Sequence, residues 1–179
     1  MPSILEGLRR LEYRGYDSAG IAVLNQGTMD RRRAAGKIAK LENELRKKPL
    51  DGNTGIGHTR WATHGVPNVV NAHPHVSGSV SIVHNGIIEN HKQLREELVS
   101  LGFAMETETD TEVAAHLVKY YYDQGLTPEE IMRAIIDRLS GAYALVIMIA
   151  DHPGMLMAAR KSSPLAIGDS VYVQTDGGN

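Results

Sequence analysis

The chain has 179 residues, of which 42% are hydrophobic and 22% charged, a composition typical of a globular domain that can bury a sizeable core. Its 19 basic and 21 acidic residues do not suggest a nucleic-acid-binding protein, which would show a strong basic excess. There is no cysteine, which excludes disulfides, cysteine-ligated zinc and a thiol nucleophile within these residues. No apolar run approaches the roughly 20 residues that span a bilayer, and the N-terminus lacks a signal-peptide pattern, so we expect a cytoplasmic protein with no membrane contact.

Helical and strand patterns follow one another along the chain. Apolar residues that recur every three or four positions predict helices at 3–13, around 38–45 with a stop at Pro49, around 94–98 with an end at Gly102, at 109–124 and at 128–139. Alternating or continuous apolar runs predict strands at 18–25, 28–35, 53–60, 80–84, 143–150, 155–160 and 170–175. Hairpins join many of these strands, so an α+β fold of antiparallel sheets covered by helices suits the order.

Residues 58 to 110 hold the densest set of polar and reactive side chains. This stretch includes a predicted long loop at 62–78, and loops of this length in compact domains are usually functional or disordered. Five of the eight histidines lie between residues 58 and 84, namely His58, His64, His73, His75 and His84. We therefore expect the functional site in this stretch.

Two clusters could bind ions, but another interpretation is favoured for each. His73 and His75 flank Pro74, and an alternating pair of histidines can begin a metal site. The pair lies in a loop, and the chain has neither cysteine nor a His-Glu-x-x-His helix, which disfavours a metal site. The arginine run 31–33 lies on a predicted strand and indicates a solvated face more than a phosphate site.

Two other features could together recognise an amino acid. Arg60 offers a planar two-pronged donor for a carboxylate, and Asp110 could take an ammonium group. The alternatives are that Arg60 is a surface cation and that Asp110 only caps the helix that follows. Asn85-Gly86 taken alone favours a two-residue hairpin turn. It could instead form an oxyanion hole, in which two N–H groups converge on a developing negative oxygen.

Several long strings make the chain resemble a known family. They are Leu11-Glu12-Tyr13-Arg14-Gly15-Tyr16-Asp17-Ser18-Ala19-Gly20, His58-Thr59-Arg60-Trp61-Ala62-Thr63-His64-Gly65, Asn71-Ala72-His73-Pro74-His75, His84-Asn85-Gly86-Ile87-Ile88-Glu89-Asn90, Thr107-Glu108-Thr109-Asp110-Thr111-Glu112 and Gly141-Ala142-Tyr143. In this order, over about residues 4–168, they resemble the glutamine-hydrolysing domain of glutamine–fructose-6-phosphate aminotransferase, a class II glutamine amidotransferase.

The resemblance implies a fold, an activity and a partner domain. The fold is a four-layer α-β-β-α sandwich of antiparallel sheets, of the N-terminal-nucleophile hydrolase type, built by residues 1–179. The activity is hydrolysis of L-glutamine to glutamate and ammonia, without a cofactor. In the whole enzyme of this family, a sugar-isomerase domain uses the ammonia to make glucosamine 6-phosphate from fructose 6-phosphate.

The resemblance also implies roles for individual residues. Arg60 holds the α-carboxylate of glutamine and Asp110 its α-amino group. The oxyanion hole consists of Asn85 and Gly86. The loop that closes over glutamine includes Trp61, Thr63 and His64. Two further matched residues, Arg14 and His73, support the site.

The chain departs from the family pattern at both ends. The family nucleophile is an N-terminal cysteine that opens a strand reading Cys-Gly-Ile-Val-Gly, whereas this sequence opens at Met1-Pro2-Ser3 just before the first helix. Ser3 leads a helix and is not terminal, so it is a poor substitute. We therefore expect an amidotransferase domain truncated at both ends, without its first strand or the isomerase domains, and inactive because the cysteine is missing. The alternatives are a non-catalytic glutamine-binding domain or a metal-dependent hydrolase using the histidine cluster.

Overall fold

Two antiparallel sheets form the centre of the protein, and helices cover their outer faces. The computed structural model describes residues 2–62 and 65–168. The helices are α1 (Pro2–Arg10), α2 (Ile38–Lys47), α3 (His91–Ser100), α4 (Asp110–Asp123) and α5 (Pro128–Arg138), with a short 3-10 helix at Glu12–Arg14. The strands are β1 (Ser18–Asn25), β2 (Thr28–Ala35), β3 (Thr54–Arg60), β4 (His75–Ser77), β5 (Val80–Ile88), β6 (Gly141–Ile149) and β7 (Met157–Lys161).

Each sheet is built largely from hairpins. The first has the strand order β2-β1-β3, and the second has the order β4-β5-β6-β7, with antiparallel pairing throughout. In the described part of the chain, no helix is both long enough and apolar enough to cross a membrane.

Three groups of buried apolar residues divide the protein into four layers. One lies between α1, α2 and the first sheet and includes Leu8, Ile21 and Leu41. The second fills the space between the two sheets and includes Leu24, Ile56 and Met148. The third and largest lies between the second sheet and the helices α3, α4 and α5, with Val113, Ile131 and Leu145 among its members. This confirms the expected α-β-β-α sandwich, in which burial of each large aliphatic side chain stabilises the fold by about 1.5–3 kcal/mol.

Most predicted elements are present, with shifted ends. The strand predicted at 18–25 and its hairpin partner at 28–35 are confirmed. Thr127 and Glu130 form the reciprocal capping box that their spacing predicts, so α5 begins where expected. The helix predicted at 3–13 ends at Arg10 and continues as the 3-10 helix. The strand predicted at 170–175 lies outside the described residues.

The prediction that a strand ends at residue 84 is wrong. β5 continues to Ile88, and Asn85 and Gly86 pair with Ala144 and Tyr143 of β6. Asn-Gly is a strong local turn signal, but the ladder with a distant strand overrides it. The hairpin interpretation of this dipeptide is therefore wrong, since both residues are part of a continuing strand.

The arginine run on β2 is not a solvated face. Arg31 donates to the carbonyl of Pro74 at 2.8 Å, and Arg33 donates to the carbonyls of Val70 and Ala72, each at 2.8 Å. Residues two apart on a strand share a face, so both side chains reach the same loop. Burial lowers the pKa of Arg33 to about 10. The prediction failed because β2 alone does not reveal that residues 70–74 pack against it.

The middle arginine of the run anchors a different part of the chain. Arg32 donates to the carbonyl of Lys48 at 2.8 Å and forms an ion pair with Asp30. The run therefore ties β2 to two separate segments.

Gly20 allows the long loop to approach the first sheet. A Cβ at this central position of β1 would lie 2.1 Å from the carbonyl oxygen of His73 and 2.9 Å from that of Arg32. Both neighbours are backbone atoms, so neither can move aside without shifting the chain. Glycine at this position thus fixes the path of the segment that carries His73.

We expect Gly20→Ala to destabilise the protein by more than about 2 kcal/mol, because the added methyl group overlaps backbone atoms that cannot relax cheaply. Gly7→Ala is the matched control, since a Cβ at that helical position meets no atom within 4 Å. The control should be neutral or stabilising by up to about 1 kcal/mol. Urea unfolding of both variants measures the difference, and equal stabilities would contradict the tight approach at Gly20.

Candidate active site

The residues with candidate roles meet at one cavity of about 580 Å³, walled by both sheets and by the segments that begin α4 and end α1. Every candidate residue that the structure describes lines it, and these are Arg14, Arg60, Trp61, His73, Asn85, Gly86 and Asp110. The other two candidates, Thr63 and His64, lie outside the described residues. Residues far apart in sequence are thus brought to a single polar cavity.

Arg60 is a buried cation at the end of β3. Its side chain is 4% exposed and forms an ion pair with Asp17, with 3.4 Å between Nη1 and Oδ1. Its Nη2 donates to the carbonyl of Gly65 at 3.0 Å. The interpretation of Arg60 as a surface cation is therefore wrong, and its guanidinium is held at the cavity wall.

Asp17 links this guanidinium to the chain that follows β3. Its carboxylate also accepts the backbone N–H of Ala62 and, at 2.8 Å, the hydroxyl of Ser18. Its own backbone N–H donates to the carbonyl of Arg60 at 2.7 Å. No local sequence pattern predicts this role of Asp17, because the geometry depends on the folded path of residues 60–62.

Asp110 is the first residue of α4 and is only 3% exposed. Thr109, not Asp110, caps the helix, because its side chain accepts the backbone N–H of Glu112. The carboxylate of Asp110 instead accepts the backbone N–H of Ile88 at 2.9 Å. The interpretation of Asp110 as a helix cap is thus wrong, and the bond to β5 fixes an anion at the cavity wall.

Asn85 and Gly86 occupy β5 where it passes the cavity. Asn85 is exposed, and its Oδ1 lies 2.8 Å from Nε2 of His58. Gly86 has φ of 122°, and a Cβ there would lie 2.1 Å from the carbonyl oxygen of Ala142. Only glycine fits this position, so the backbone of β5 stays open to the cavity.

Four histidines form a buried cluster behind these residues. His58 and His73 stack with ring centroids 4.3 Å apart, and His75 meets His73 edge-on at 4.7 Å. His73 and His84 each place a ring nitrogen 3.0 Å from the hydroxyl oxygen of Thr111. The hydroxyl of Thr111, beside Asp110 on α4, thus joins the cluster to the carboxylate wall.

Burial sets the protonation of this cluster. Desolvation lowers the pKa of His58 to about 4 and, with the nearby cations Arg33 and Arg31, that of His75 to about 3. Burial and the neighbouring histidine rings also hold the pKa of His73 well below its usual value. These three rings are therefore neutral at pH 7, and they present polar atoms without adding positive charge beside Arg60.

The histidine cluster gives no support to a metal centre. Within residues 2–62 and 65–168, no group of three or more His, Asp or Glu side chains is placed to hold a metal ion. His58 faces Asn85 and His73 faces Thr111, and the two imidazoles stack face to face instead of converging on one point. The geometry is that of a hydrogen-bonded framework.

One signal in the sequence could have identified His58. Ile56, His58 and Arg60 alternate along β3 and all three are buried, so they share one face of the strand. A strand prediction at 53–60 together with a role for Arg60 therefore implied that His58 lies near the same site.

Two antiparallel sheets stacked between helical layers, with a polar cavity lined by both sheets, define the N-terminal-nucleophile class of fold. Comparison with known proteins agrees with this class. The glutamine phosphoribosylpyrophosphate amidotransferase of B. subtilis, solved with ADP and GMP, superposes with a TM-score of 0.69 at 30% identity, covering 83% of this chain and 33% of that chain.

The sequence comparisons identify the family. A family described as the glutamine amidotransferase domain matches residues 58–172, more than half of the chain. The chain therefore belongs to the glutamine amidotransferase domain family. It is 58% identical to the isomerizing glutamine–fructose-6-phosphate aminotransferase of Gluconobacter oxydans over 168 residues, which are 93% of this chain and 28% of that relative. It is also 58% identical to the Escherichia coli protein of the same name, over 92% of this chain and 27% of that relative.

These matches confirm the resemblance seen in the sequence motifs. The chain spans just over a quarter of the length of these two curated relatives.

The buried neutral histidines predict a loss of stability in mild acid. The unfolded chain takes up protons as the pH falls through about 6.5, whereas folded His58 and His75 do not until about 4 and about 3. The free energy of unfolding therefore keeps its full value above about pH 6.5. Below that pH it falls by up to about 1.4 kcal/mol per pH unit for each of His58 and His75. Urea unfolding between pH 7 and 4.5 measures this slope. His75→Gln should flatten it by one histidine's share, and an unchanged slope would contradict the assignment.

Proposed function

We propose that this chain is a glutamine-binding amidotransferase domain, formed by residues 1–179 as one unit, and that it serves the hydrolysis of L-glutamine to glutamate and ammonia. The observation that carries the proposal is a single cavity lined at once by a buried guanidinium, a carboxylate and a pair of N–H donors. These groups belong to Arg60, Asp110 and the Asn85-Gly86 dipeptide.

The charges on the cavity wall match those of a free amino acid. Arg60 presents a fork of donors to the α-carboxylate, and Asp110 presents an anion to the α-ammonium group. A volume of about 580 Å³ falls within the range of small-molecule sites. The side-chain amide of a glutamine held at both charged ends then reaches toward Asn85 and Gly86.

The chemistry assigned to this dipeptide is stabilisation of a developing oxyanion. When a thiolate attacks the amide carbon of glutamine, the carbonyl oxygen takes the electron pair, and the side-chain N–H of Asn85 and the backbone N–H of Gly86 donate to it. Collapse of this intermediate expels ammonia, which takes up a proton on leaving. Water then releases glutamate from the thioester and regenerates the thiol.

The remaining candidate residues either cover the opening of this cavity or support its lining. Trp61 is 70% exposed, and Gly15 provides the close approach to its ring, since a Cβ there would lie 2.7 Å from the ring atom Cζ3. We assign Trp61, with Thr63 and His64, to the segment that covers bound glutamine. Arg14 lines the cavity, and His73 positions Thr111 beside Asp110.

The names of the relatives extend the proposal to a larger protein. In an isomerizing glutamine–fructose-6-phosphate aminotransferase, the ammonia released here would pass to a sugar-isomerase domain that converts fructose 6-phosphate to glucosamine 6-phosphate. The 179 residues contain no cysteine, so they lack the thiol nucleophile of this reaction. As the 179-residue polypeptide, the chain is then a glutamine binder without turnover.

Supplying the cysteine should switch on the reaction. We expect no glutamate release from L-glutamine by the 179-residue polypeptide, and release by a version with Cys-Gly-Ile-Val-Gly placed before Ser3 and the cysteine freed as the N-terminus. A matched version with serine in place of that cysteine is the control. Activity of the unextended polypeptide would overturn the cysteine mechanism for this protein.

The binding and catalytic roles should separate in steady-state kinetics of the active version. Asn85→Ala should lower kcat about a hundredfold or more with little change in KM, because its donor acts on the oxyanion of the transition state. Arg60→Ala should chiefly raise KM, because its bond to the carboxylate is already present in the ground state. Arg160→Ala, which removes an exposed arginine of β7, is the control. The opposite pattern would refute the assignment.

A further inference from the structure

We propose that His58 is a positioning residue of this site, which holds the carboxamide of Asn85 so that its N–H groups face the cavity. The inference rests on the proposed function of Asn85 and adds a residue to which no role has been given. Its basis is the 2.8 Å contact between Nε2 of His58 and Oδ1 of Asn85.

A carboxamide has two opposite ends, and only one of them suits an oxyanion. The Oδ1 atom can only accept a hydrogen bond, and Nδ2 can only donate. With Oδ1 turned toward His58, Nδ2 is the end that remains for the cavity. The reverse orientation would present a second oxygen to the developing negative charge, which would repel it.

The ring nitrogen that carries the proton of His58 decides between these orientations. Because Oδ1 only accepts, the contact requires the proton on Nε2 of His58. The other nitrogen, Nδ1, is buried and has no hydrogen-bond partner among the described residues. The structure thus favours the tautomer that fixes Asn85 in the productive orientation.

The ring of His58 is itself held rigidly. Its residue pairs with Gly20 across the first sheet, and its ring stacks on His73 at 4.3 Å. His73 is in turn held by Thr111 at 3.0 Å. A chain of contacts therefore runs from α4 through two neutral imidazoles to Asn85, and burial keeps His58 neutral with a single proton to place.

The tautomer can be measured without any catalysis. Nitrogen-15 NMR of the 179-residue polypeptide labelled at histidine distinguishes protonated from bare ring nitrogens, and His58→Gln identifies the signals of His58. We expect the proton on Nε2 and a bare Nδ1 at pH 7. A proton on Nδ1 would overturn the proposal. This result does not depend on glutamine turnover, so it separates failure of the present inference from failure of the proposed function.

A double-mutant cycle tests whether His58 acts through Asn85. In the cysteine-extended version, His58→Leu should lower kcat about tenfold or more with KM within about twofold, because it removes the donor but keeps the bulk. His58→Gln, whose amide N–H has a similar reach, should recover most of the loss. In the Asn85→Ala background, His58→Leu should cost no further factor. Equal losses in both backgrounds, or no rescue by glutamine, would refute the positioning role.

His116→Leu is the matched control for the loss of a buried histidine. His116 is buried on α4, and its Nδ1 lies 2.8 Å from the hydroxyl oxygen of Ser77, away from the residues that line the cavity. We expect this variant to lower the melting temperature and leave kcat unchanged. A loss of kcat equal to that of His58→Leu would show that a general loss of core packing explains the effect of both variants, and would also overturn the proposal.

Discussion

The burial of one positive charge is the constraint on which the site depends. The side chain of Arg60 is only 4% exposed, and a buried guanidinium requires acceptors that the fold must supply. Asp17 supplies a carboxylate and Gly65 a carbonyl. Because Asp17 also binds the backbone of Ala62, the same carboxylate balances the charge and fixes the chain that leaves β3. The cation is therefore in place before a ligand arrives, which lowers the entropy lost on binding.

The histidine cluster, in contrast to Arg60, must remain uncharged. An imidazolium beside Arg60 would place two positive charges in a poorly hydrated space, and both burial and the charge of Arg60 lower the pKa of His58. The cluster consequently acts as a neutral hydrogen-bonding framework around Thr111 and Asn85. Under the proposed function, Arg60 and Asp110 would then remain the charged pair that distinguishes the two ends of glutamine.

The features that sequence reasoning predicted are local, and those it missed depend on distant partners. The hairpin at 18–35 and the capping box at Thr127 follow from nearby residues, and both are confirmed. Asn85-Gly86 is a turn by local propensity but a strand in the ladder with β6, which lies far along the chain. The candidate residues came from family motifs, and the described ones do line one cavity. The role of Asp17 needed the folded path after β3, which no local pattern encodes.

Under the proposed function, the hydrogen bond between Arg60 and Gly65 would couple glutamine binding to the position of Gly65. Nη2 of Arg60 donates to the carbonyl of Gly65, and that residue is followed by Val66, whose N–H donates to the carboxylate of Glu108 at 3.2 Å. A glutamine carboxylate at Arg60 would compete with this neutral carbonyl, and a charge-assisted bond is roughly twice as strong as a neutral one. Coupling of this kind is reciprocal. If glutamine binding releases Gly65 from Arg60, then any rearrangement that favours the released position of Gly65 would increase the affinity for glutamine. Selection of the ligand and closure of the chain around it would thus share one guanidinium.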